Sequence, residues 1–138
     1  MAVTLKDFMT MEDVLTIEPA VTLAAAARAM RERNVGAAVV VDGGRVAGIF
    51  TERDLLRAVA DGSQPGEATV GEHMTPDPVT LPSDHSPSEA AQIMAARRFR
   101  HIPVIDEGEL VGIVSIRDLV AVDLHIQPAD AHVGSDFP

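Results

Sequence analysis

Cysteine, tryptophan and tyrosine are absent from this sequence of 138 residues, and four phenylalanines are its only aromatic residues. Without cysteine, the chain can hold neither a disulfide framework nor a thiolate metal site or nucleophile. Because aromatic residues are scarce, the core must be built from alanine, valine, leucine and isoleucine. Hydrophobic residues make up 46% of the chain, which is enough for one compact domain or for two very small ones that share a core.

Long apolar runs are missing as well. No stretch of about 18 apolar residues occurs, so we expect no membrane-spanning helix. The first residues, "MAVTLKDFMTMED", carry acids at Asp7, Glu12 and Asp13 and lack the apolar centre of a signal peptide. The expected location is therefore the cytoplasm.

Basic residues are outnumbered, and the formal net charge is −10. General binding to nucleic acid or to an anionic membrane needs a basic face, so neither partner is expected. We also expect no enzyme, because there is no glycine-rich phosphate loop, no supported Ser-His-Asp order and no paired acids. No metal is expected, because the histidines lack metal-ligand spacing: His73, His85, His101, His125 and His132.

The sequence repeats itself after 64 residues. Residues 16–55 align without a gap to residues 80–119, and thirteen of the 40 aligned pairs are identical. The phrase "GIFTERDL" beginning at Gly48 returns as "GIVSIRDL" beginning at Gly112, and "FMT" at 8–10 returns as "HMT" at 73–75 with one residue of slippage. The chain is therefore a duplication of a unit of about 55–60 residues.

Each unit follows the order β-α-β-β-α. Ser86, Pro87 and Glu89 are typical of a helix start, and Thr22 is a plausible N-cap in the first repeat. Glycines at Gly43-Gly44 and Gly108 predict hairpin turns. The predicted elements are an extended piece (14–17 and 78–81), a helix (23–33 and 87–98), two strands (37–42 with 46–50, and 101–106 with 110–114) and a last helix (52–60 and 116–124).

A three-stranded sheet of this size cannot cover both of its faces alone, whereas two such sheets packed together can. We therefore predict an α/β fold of the α+β type, with two β-α-β-β-α repeats related by a pseudo-two-fold axis. The predicted domains are 8–61 and 71–124, joined by a linker at 62–70 that is rich in turn formers. Residues 125–138 have no apolar period and are predicted to form a disordered tail.

The repeated phrase has two interpretations. "TERD" from Thr51 to Asp54 and "SIRD" from Ser115 to Asp118 fit the capping box, in which a hydroxyl and an acid three residues later satisfy a helix start. The same geometry suits a ligand, because a helix N-terminus attracts phosphate and a carboxylate accepts hydrogen bonds from the vicinal diol of a ribose. The phrase alone does not decide between them.

A basic cluster in the second repeat favours the ligand. "RRFRH" places Arg97 and Arg98 at the end of a helix, where the helix dipole explains them. It places Arg100 and His101 at the entrance of a buried strand, where a structural role explains them poorly. The first repeat has Gly36 and Ala37 at these positions, so the charges are not needed for folding.

Tandem β-α-β-β-α units, each with a Gly-apolar-x-Thr/Ser-x-x-Asp phrase after a strand that ends in Asp, resemble a stand-alone pair of CBS domains, also called a Bateman module. The resemblance covers residues 8–122. It implies a regulatory module that binds an adenosine nucleotide (AMP, ADP or ATP) between the repeats and signals to a partner protein. It also implies a homodimer, and no cofactor beyond this regulatory ligand.

The resemblance further implies two sites, each combining the phrase of one repeat with the extended piece and strand entrance of the other. The first site is expected to take the charged nucleotide. The second, whose strand entrance has Gly36 and Ala37 in place of an Arg and a His, is expected to be weaker, empty or suited to a less negative ligand. The alternatives are a ligand-independent dimerisation module and a sensor of S-adenosylmethionine or NAD(H). The residues of the first site would be Thr51, Arg53, Asp54, Val79, Phe99, Arg100 and His101, and those of the second Leu15, Val35, Gly36, Ala37, Ser115, Arg117 and Asp118.

Overall fold

The computed structural model describes residues 3–7 and 14–122. These residues fall into two compact units, and each has its own hydrophobic core. The first unit consists of residues 14–78, and the second consists of residues 79–122 together with residues 3–7. The repeated "FMT" at 8–10 and the predicted tail at 125–138 lie outside the described residues.

The first unit contains a four-stranded sheet. The elements are β1 (Thr16–Ile17), α1 (Leu23–Arg33), β2 (Ala37–Asp42), β3 (Arg45–Thr51), α2 (Glu52–Ala60), α3 (Val70–His73) and β4 (Thr75–Pro76). The strands pair in the order β1-β2-β3-β4, with β1 parallel to β2 and the other pairs antiparallel.

The second unit repeats this order around a shorter sheet. After a 3-10 turn at Leu5–Asp7, it contains α4 (Pro87–Arg97), β5 (His101–Asp106), β6 (Glu109–Ser115) and α5 (Ile116–Val122). Strands β5 and β6 pair antiparallel. The predicted extended piece at 78–81 contributes an isolated parallel bridge between Leu81 and Val104 instead of a strand. Pro78 begins this piece and Pro82 follows it, and both lack the N–H that a longer ladder would use.

Cap residues and turn residues in the sequence predicted where the helices and hairpins lie. Thr22 caps α1 through the amide of Ala25, as predicted, and the bounds of α1, α2, β2 and β5 agree with the prediction. Helix α4 ends at Arg97, one residue early, because Arg98 adopts a left-handed conformation with φ of 60°. Both hairpin turns have positive φ at their two central residues, which matches the twist of the strands.

Residues 4–7, called the first arm, are part of the second unit. The side chain of Leu5 is fully buried in the core of that unit. The amide of Leu5 donates to the carbonyl of His85 at 2.9 Å, and that of Lys6 donates to the carbonyl of Ser83 at 3.2 Å. The start of the chain therefore completes the core of the second repeat.

Asp106 fixes the loop that receives this arm. The amide of Ser83 donates to Asp106 Oδ1 at 2.8 Å, and the Ser83 hydroxyl donates to Oδ2 at 2.6 Å. These bonds, together with the charge of Lys6, hold the pKa of the Asp106 carboxyl below its ordinary value. The aspartate that ends strand β5 thus anchors the loop against the sheet.

Residues 69–73, called the second arm, do the same for the first unit. Val70 is fully buried in the core of that unit. Its amide donates to the carbonyl of Val21 at 2.8 Å, and that of Gly71 donates to the carbonyl of Pro19 at 2.9 Å. The preceding residues 62–68, which belong to the predicted linker, also pack on this unit, because the carbonyl of Ala68 accepts from the amide of Leu23 at 2.9 Å.

The two arms are equivalent. Pro19 and Val21 align with Ser83 and His85 under the 64-residue repeat, so both arms bind the same two carbonyls of their units. The threonine that opens each arm donates its amide to an acid three residues later, at 3.0 Å in the first arm and 2.8 Å in the second. Each arm therefore precedes one repeat in sequence and packs on the unit formed by the other.

Gly48 lets strand β4 approach β3. A Cβ atom at this position would lie 2.6 Å from Met74 Sδ and 2.7 Å from the carbonyl oxygen of Thr75. The backbone oxygen cannot move without shifting β4, so glycine is required here for packing. This agrees with the structural interpretation of the first residue of the repeated phrase.

Gly48→Ala is expected to lower the free energy of unfolding by about 1–2 kcal/mol, because the added methyl group overpacks the β3–β4 pair. Urea denaturation followed by circular dichroism measures this, since the chain has no tryptophan for fluorescence. Gly66→Ala is the matched control, because a Cβ there meets nothing within 4 Å. Equal stability of the two variants would contradict the packing role.

None of the helices in the described part of the chain is long and apolar enough to cross a bilayer.

Candidate functional site

The phrase of the first repeat forms a capping box at the start of α2, as predicted. The amide of Asp54 donates to Thr51 Oγ1 at 3.3 Å, while the amide and hydroxyl of Thr51 donate to Asp54 Oδ2 at 2.9 and 3.1 Å. The bonds of the box reach only one of the two carboxylate oxygens, Oδ2, and the Asp54 side chain is 8% exposed. The box therefore uses one oxygen of Asp54 and leaves the other as an acceptor.

The environment of Asp54 favours additional donors. Burial raises the pKa of this carboxyl, whereas the bonds from Thr51 and the charges of Arg57 and Arg53 oppose the shift. Burial is the larger effect, so the ionised carboxylate has lost more solvation than its present partners replace. Hydroxyl groups that donate to Oδ1 would restore part of that solvation.

The second repeat has the same box at the start of α5. The amide of Ser115 donates to Asp118 Oδ2 at 3.0 Å, and the amide of Asp118 donates to Ser115 Oγ at 3.0 Å. Asp118 is half-buried, whereas Asp54 is buried. Both copies of the phrase therefore begin a helix, and the first holds the more desolvated carboxylate.

The helix starts offer fewer free amides than the sequence suggested. In α2, the amide of Glu52 donates to the carbonyl of Gly36 at 3.1 Å and that of Asp54 is used by the box. Only the amide of Arg53, between them, finds no acceptor in the described part of the first unit. In α5, the amide of Ile116, which is equivalent to that of Glu52, donates to the carbonyl of Arg100 at 2.8 Å.

These bonds place each strand entrance beside the phrase of its own repeat. His101 pairs with Ser115 across β5 and β6, and Ala37 pairs with Thr51 across β2 and β3. The structure thus brings Arg100, His101, Ser115, Arg117 and Asp118 together in the second unit. In the first unit it brings together Gly36, Ala37, Thr51, Arg53 and Asp54.

His101 is uncharged at neutral pH. Burial lowers the pKa of its imidazole to about 4, the charges of Arg100 and Arg117 add to the shift, and that of Asp118 opposes it. A neutral imidazole can donate one hydrogen bond and accept another. The net positive charge of this entrance therefore comes from the two arginines.

The entrance in the first repeat has the opposite character. Gly36 has no side chain, and the Glu52 carboxylate lies over it, with Oε1 3.1 Å from the place where a Cβ of residue 36 would be. Glu52 was not among the residues singled out from the sequence. A comparison of the two repeats could have found it, because the uncharged Ile116 occupies the equivalent position in the second repeat.

The apolar residues of the predicted sites lie at the edges of the two cores. Leu15 is buried in the first core, and its carbonyl accepts from the amide of Val39 at 2.9 Å. Val35 and Phe99 are partly buried against the first and second cores respectively, and Val79 is half-buried. Leu15 can therefore contribute mainly backbone atoms to a site.

Among the described residues, no group of three or more His, Asp or Glu side chains is placed to hold a metal ion. His73 instead contacts the Ser63 hydroxyl, with Nε2 at 3.2 Å from Oγ. His125 and His132 lie outside the described residues.

The two units share one α+β topology, and in each a capping box begins a helix beside the entrance of a strand. Together they define a tandem-repeat module. The sequence model of the CBS domain matches residues 5–61 and 70–125. The chain belongs to the CBS domain family, as a pair of CBS domains.

Known proteins agree with this assignment. The chain is 42% identical over 109 residues to an uncharacterized 17.7 kDa protein of Acidianus ambivalens, covering 76% of this chain and 65% of that protein. It is 39% identical over 117 residues to the CBS domain-containing protein YhcV of Bacillus subtilis, covering 84% of this chain and 82% of YhcV. The CBS domain pair of protein MJ0100, solved in complex with 5′-methylthioadenosine and S-adenosyl-L-methionine, superposes with a TM-score of 0.79 at 25% identity, covering 87% of this chain and 98% of that one.

Proposed function

We propose that this CBS pair is a regulatory, non-enzymatic module that binds an adenosine-bearing ligand and passes the signal to a partner protein. The observation that carries this proposal is the carboxylate of Asp54, which is 8% exposed and accepts the bonds of its capping box on Oδ2, leaving Oδ1 outside the box. A ribose diol supplies two donors at the spacing of a carboxylate. We further propose that the protein acts in the cytoplasm as a homodimer.

A charged nucleotide of the AMP, ADP or ATP class is the ligand proposed for the site that contains Asp54. A chain with a net charge of −10 repels phosphate in general, so a local positive charge matters. Arg100 supplies such a charge in the second repeat, and the neutral imidazole of His101 can donate a hydrogen bond to a phosphate oxygen. The proposed residues are those predicted from the sequence: Thr51, Arg53, Asp54, Val79, Phe99, Arg100 and His101.

The second site is proposed to be weaker for nucleotides. It would combine the half-buried Asp118 with an entrance that has no basic residue, at Gly36 and Ala37. An S-adenosylmethionine-type ligand is the alternative here, and the ligands in the MJ0100 complex support it. The remaining proposed residues are Leu15, Val35, Ser115 and Arg117.

Ligand-independent association is the second candidate function. Helix α2 exposes two large apolar side chains one turn apart, Leu56 at 62% and Val59 at 50%. Such a pair is suited to burial against a second copy. An apparent mass near twice 14.6 kDa fits a dimer with or without a ligand, so only ligand binding separates the two candidates.

A thermal-shift screen with AMP, ADP, ATP, NADH and S-adenosylmethionine tests the proposal. A ligand that binds only the folded state adds about 2.7 kcal/mol of stability at a hundredfold excess over its dissociation constant. We expect a shift with at least one adenosine ligand. The absence of a shift with all five would favour association alone.

2′-Deoxy-AMP is expected to bind more weakly than AMP by about 2 kcal/mol, because it lacks one hydroxyl that donates to the Asp54 carboxylate. Calorimetric titration of both nucleotides under the same conditions measures the difference. The two nucleotides are otherwise identical, so AMP itself is the matched control. Equal affinities would remove the proposed role of Asp54 in ribose recognition.

A further inference from the structure

Met74 lies where the second arm meets strand β4. It follows the last residue of α3 and precedes Thr75, the first residue of β4. Its amide donates to the carbonyl of Val70 at 2.8 Å, and its side chain packs against the core of the first unit. A chemical change of this side chain therefore acts at the join between the arm and the sheet.

The thioether of Met74 fills the space that Gly48 leaves free on β3. Its Sδ atom lies 2.6 Å, and its Cγ atom 3.0 Å, from the place where a Cβ of residue 48 would be. The sulfur is therefore packed against β3, at the position where Gly48 pairs with Pro76 of β4. A thioether suits this place because it is apolar and flexible enough to fill an irregular gap.

Met74 is also more accessible than the other two methionines of the described residues. Its side chain is half-buried, whereas Met30 is 4% exposed in the first core and Met94 is 3% exposed in the second. An oxidant in solution reaches an exposed sulfur sooner than a buried one. Of these three sulfurs, a hydroperoxide would therefore attack that of Met74 first.

Short elements hold the arm and β4 on the first unit. Helix α3 has four residues and β4 has two. The amides of Val70, Gly71 and Asp77 donate to carbonyls of the first unit at 2.8, 2.9 and 3.1 Å. Short segments of this kind open at a lower free energy than the core strands, so the apolar contacts of Val70 and Met74 matter for keeping this one closed.

We propose that Met74 is an oxidative modification site, through which a hydroperoxide loosens the second arm and β4 from the first unit. The sulfur lone pair attacks one oxygen of the hydroperoxide, the O–O bond breaks, and water or an alcohol leaves. The thioether loses two electrons and becomes a sulfoxide, and the hydroperoxide gains them. The sulfoxide is polar, so it prefers water to the contact with β3 and leaves the space above Gly48 unfilled.

The alternative is that Met74 only fills a gap. A half-buried side chain could turn towards water after oxidation while the arm stays in place. Both interpretations predict that the sulfur is oxidised. Only the proposal predicts that the amides of the arm then lose their protection from hydrogen exchange.

Hydrogen exchange followed by mass spectrometry, on the full-length protein before and after treatment with hydrogen peroxide, separates the two. The protein carries Met9→Leu and Met11→Leu, because Met9 aligns with Met74 in the repeated "FMT" and "HMT". The sulfoxide is expected to form at Met74 roughly tenfold faster than at Met30 or Met94.

The amides of residues 70–77 should then exchange roughly tenfold faster. The amides of Leu5 and Lys6, which make the equivalent bonds in the first arm, are the internal control and should not change. Treatment with methionine sulfoxide reductase and a dithiol, which becomes a disulfide while the oxygen leaves as water, should restore slow exchange.

Two variants separate the sulfoxide from other oxidative damage. Met74→Leu keeps an apolar side chain of similar volume that peroxide does not oxidise, so residues 70–77 should stay protected in peroxide. Met74→Gln places a polar group in the same gap, so it should speed the exchange of these residues without any oxidant.

Faster exchange that is confined to residues 70–77 and reversed by reduction supports the proposal. Oxidation of Met74 no faster than that of Met30, or oxidation without faster exchange, overturns it. Faster exchange throughout α1 and β2 also overturns it, because the whole unit would then be unfolding. The same holds for peroxide-treated Met74→Leu that exchanges as fast as the oxidised parent, since the sulfur would then not be the cause.

Discussion

Leu5→Ala is expected to lower the free energy of unfolding by about 3 kcal/mol, although the residue lies near the start of the chain. Chain termini are commonly frayed, and substitutions there usually have little effect. Leu5, however, is fully buried among Leu81, Ala90 and Ile102 in the second core. Shortening its side chain leaves a cavity that the arm, held by two backbone hydrogen bonds, cannot close.

Hydrogen exchange can locate this loss. Amides of β5 and β6 in the second unit should lose protection, while those of β2 and β3 in the first unit should change less. Val70→Ala is the reciprocal variant and should show the opposite pattern, with a smaller loss of about 2 kcal/mol. Val3→Ala, at a side chain that is 51% exposed, should have no measurable effect. A loss with Leu5→Ala no greater than with Val3→Ala would show that the arm does not stabilise the second unit.

Asp54→Ala is expected to weaken AMP binding roughly a hundredfold, whereas Asp118→Ala should leave the tighter affinity nearly unchanged. This loss of affinity corresponds to two hydrogen bonds from a ribose to the charged carboxylate. Water that fills the space of the removed carboxylate would offset part of it. The difference between the two variants follows from the arginine at the strand entrance that is proposed to accompany Asp54. Calorimetric titration of both variants measures it.

The folding stability of the two alanine variants has to be measured alongside their affinities for AMP. Each aspartate also closes a capping box, so each alanine variant should lose about 1 kcal/mol of folding stability. Because the boxes are alike, with Asp118 accepting from Ser115 as Asp54 accepts from Thr51, this loss should be similar in both. Equal losses of affinity, or a loss confined to Asp118→Ala, would contradict the proposed asymmetry of the sites.

Features set by neighbouring residues were predictable from the sequence. Thr22 and Ser86 mark the helix starts, because their side chains satisfy amides only three residues away. Gly43 and Gly44 mark a hairpin, because few other residues accept the positive φ that both positions have. The box formed by Thr51 and Asp54 was predictable for the same reason.

Features that depend on residues distant in the sequence were not predictable in this way. No local pattern shows that Leu5 packs beside residues near position 100, or that the Glu52 carboxylate lies over Gly36. The extended piece at 78–81 has the composition of a strand, yet its backbone reaches β5 only at Leu81, with bonds to Pro103 and Ile105. Such details depend on which segments the tertiary fold brings together, and the repeat alone does not specify them.

The placement of the two arms also bears on how such a chain could arise. A protein made of one repeat and its arm would have to fill its own core from a second copy, because each arm packs on the unit formed by the other repeat. An ancestor of half the length would then fold only as a pair, and its folding would depend on concentration. Joining two copies in one gene replaces that dependence with a fixed local concentration set by the connecting chain. Fusion would then have freed the two halves to diverge, which the charges at Glu52 and Arg100 illustrate.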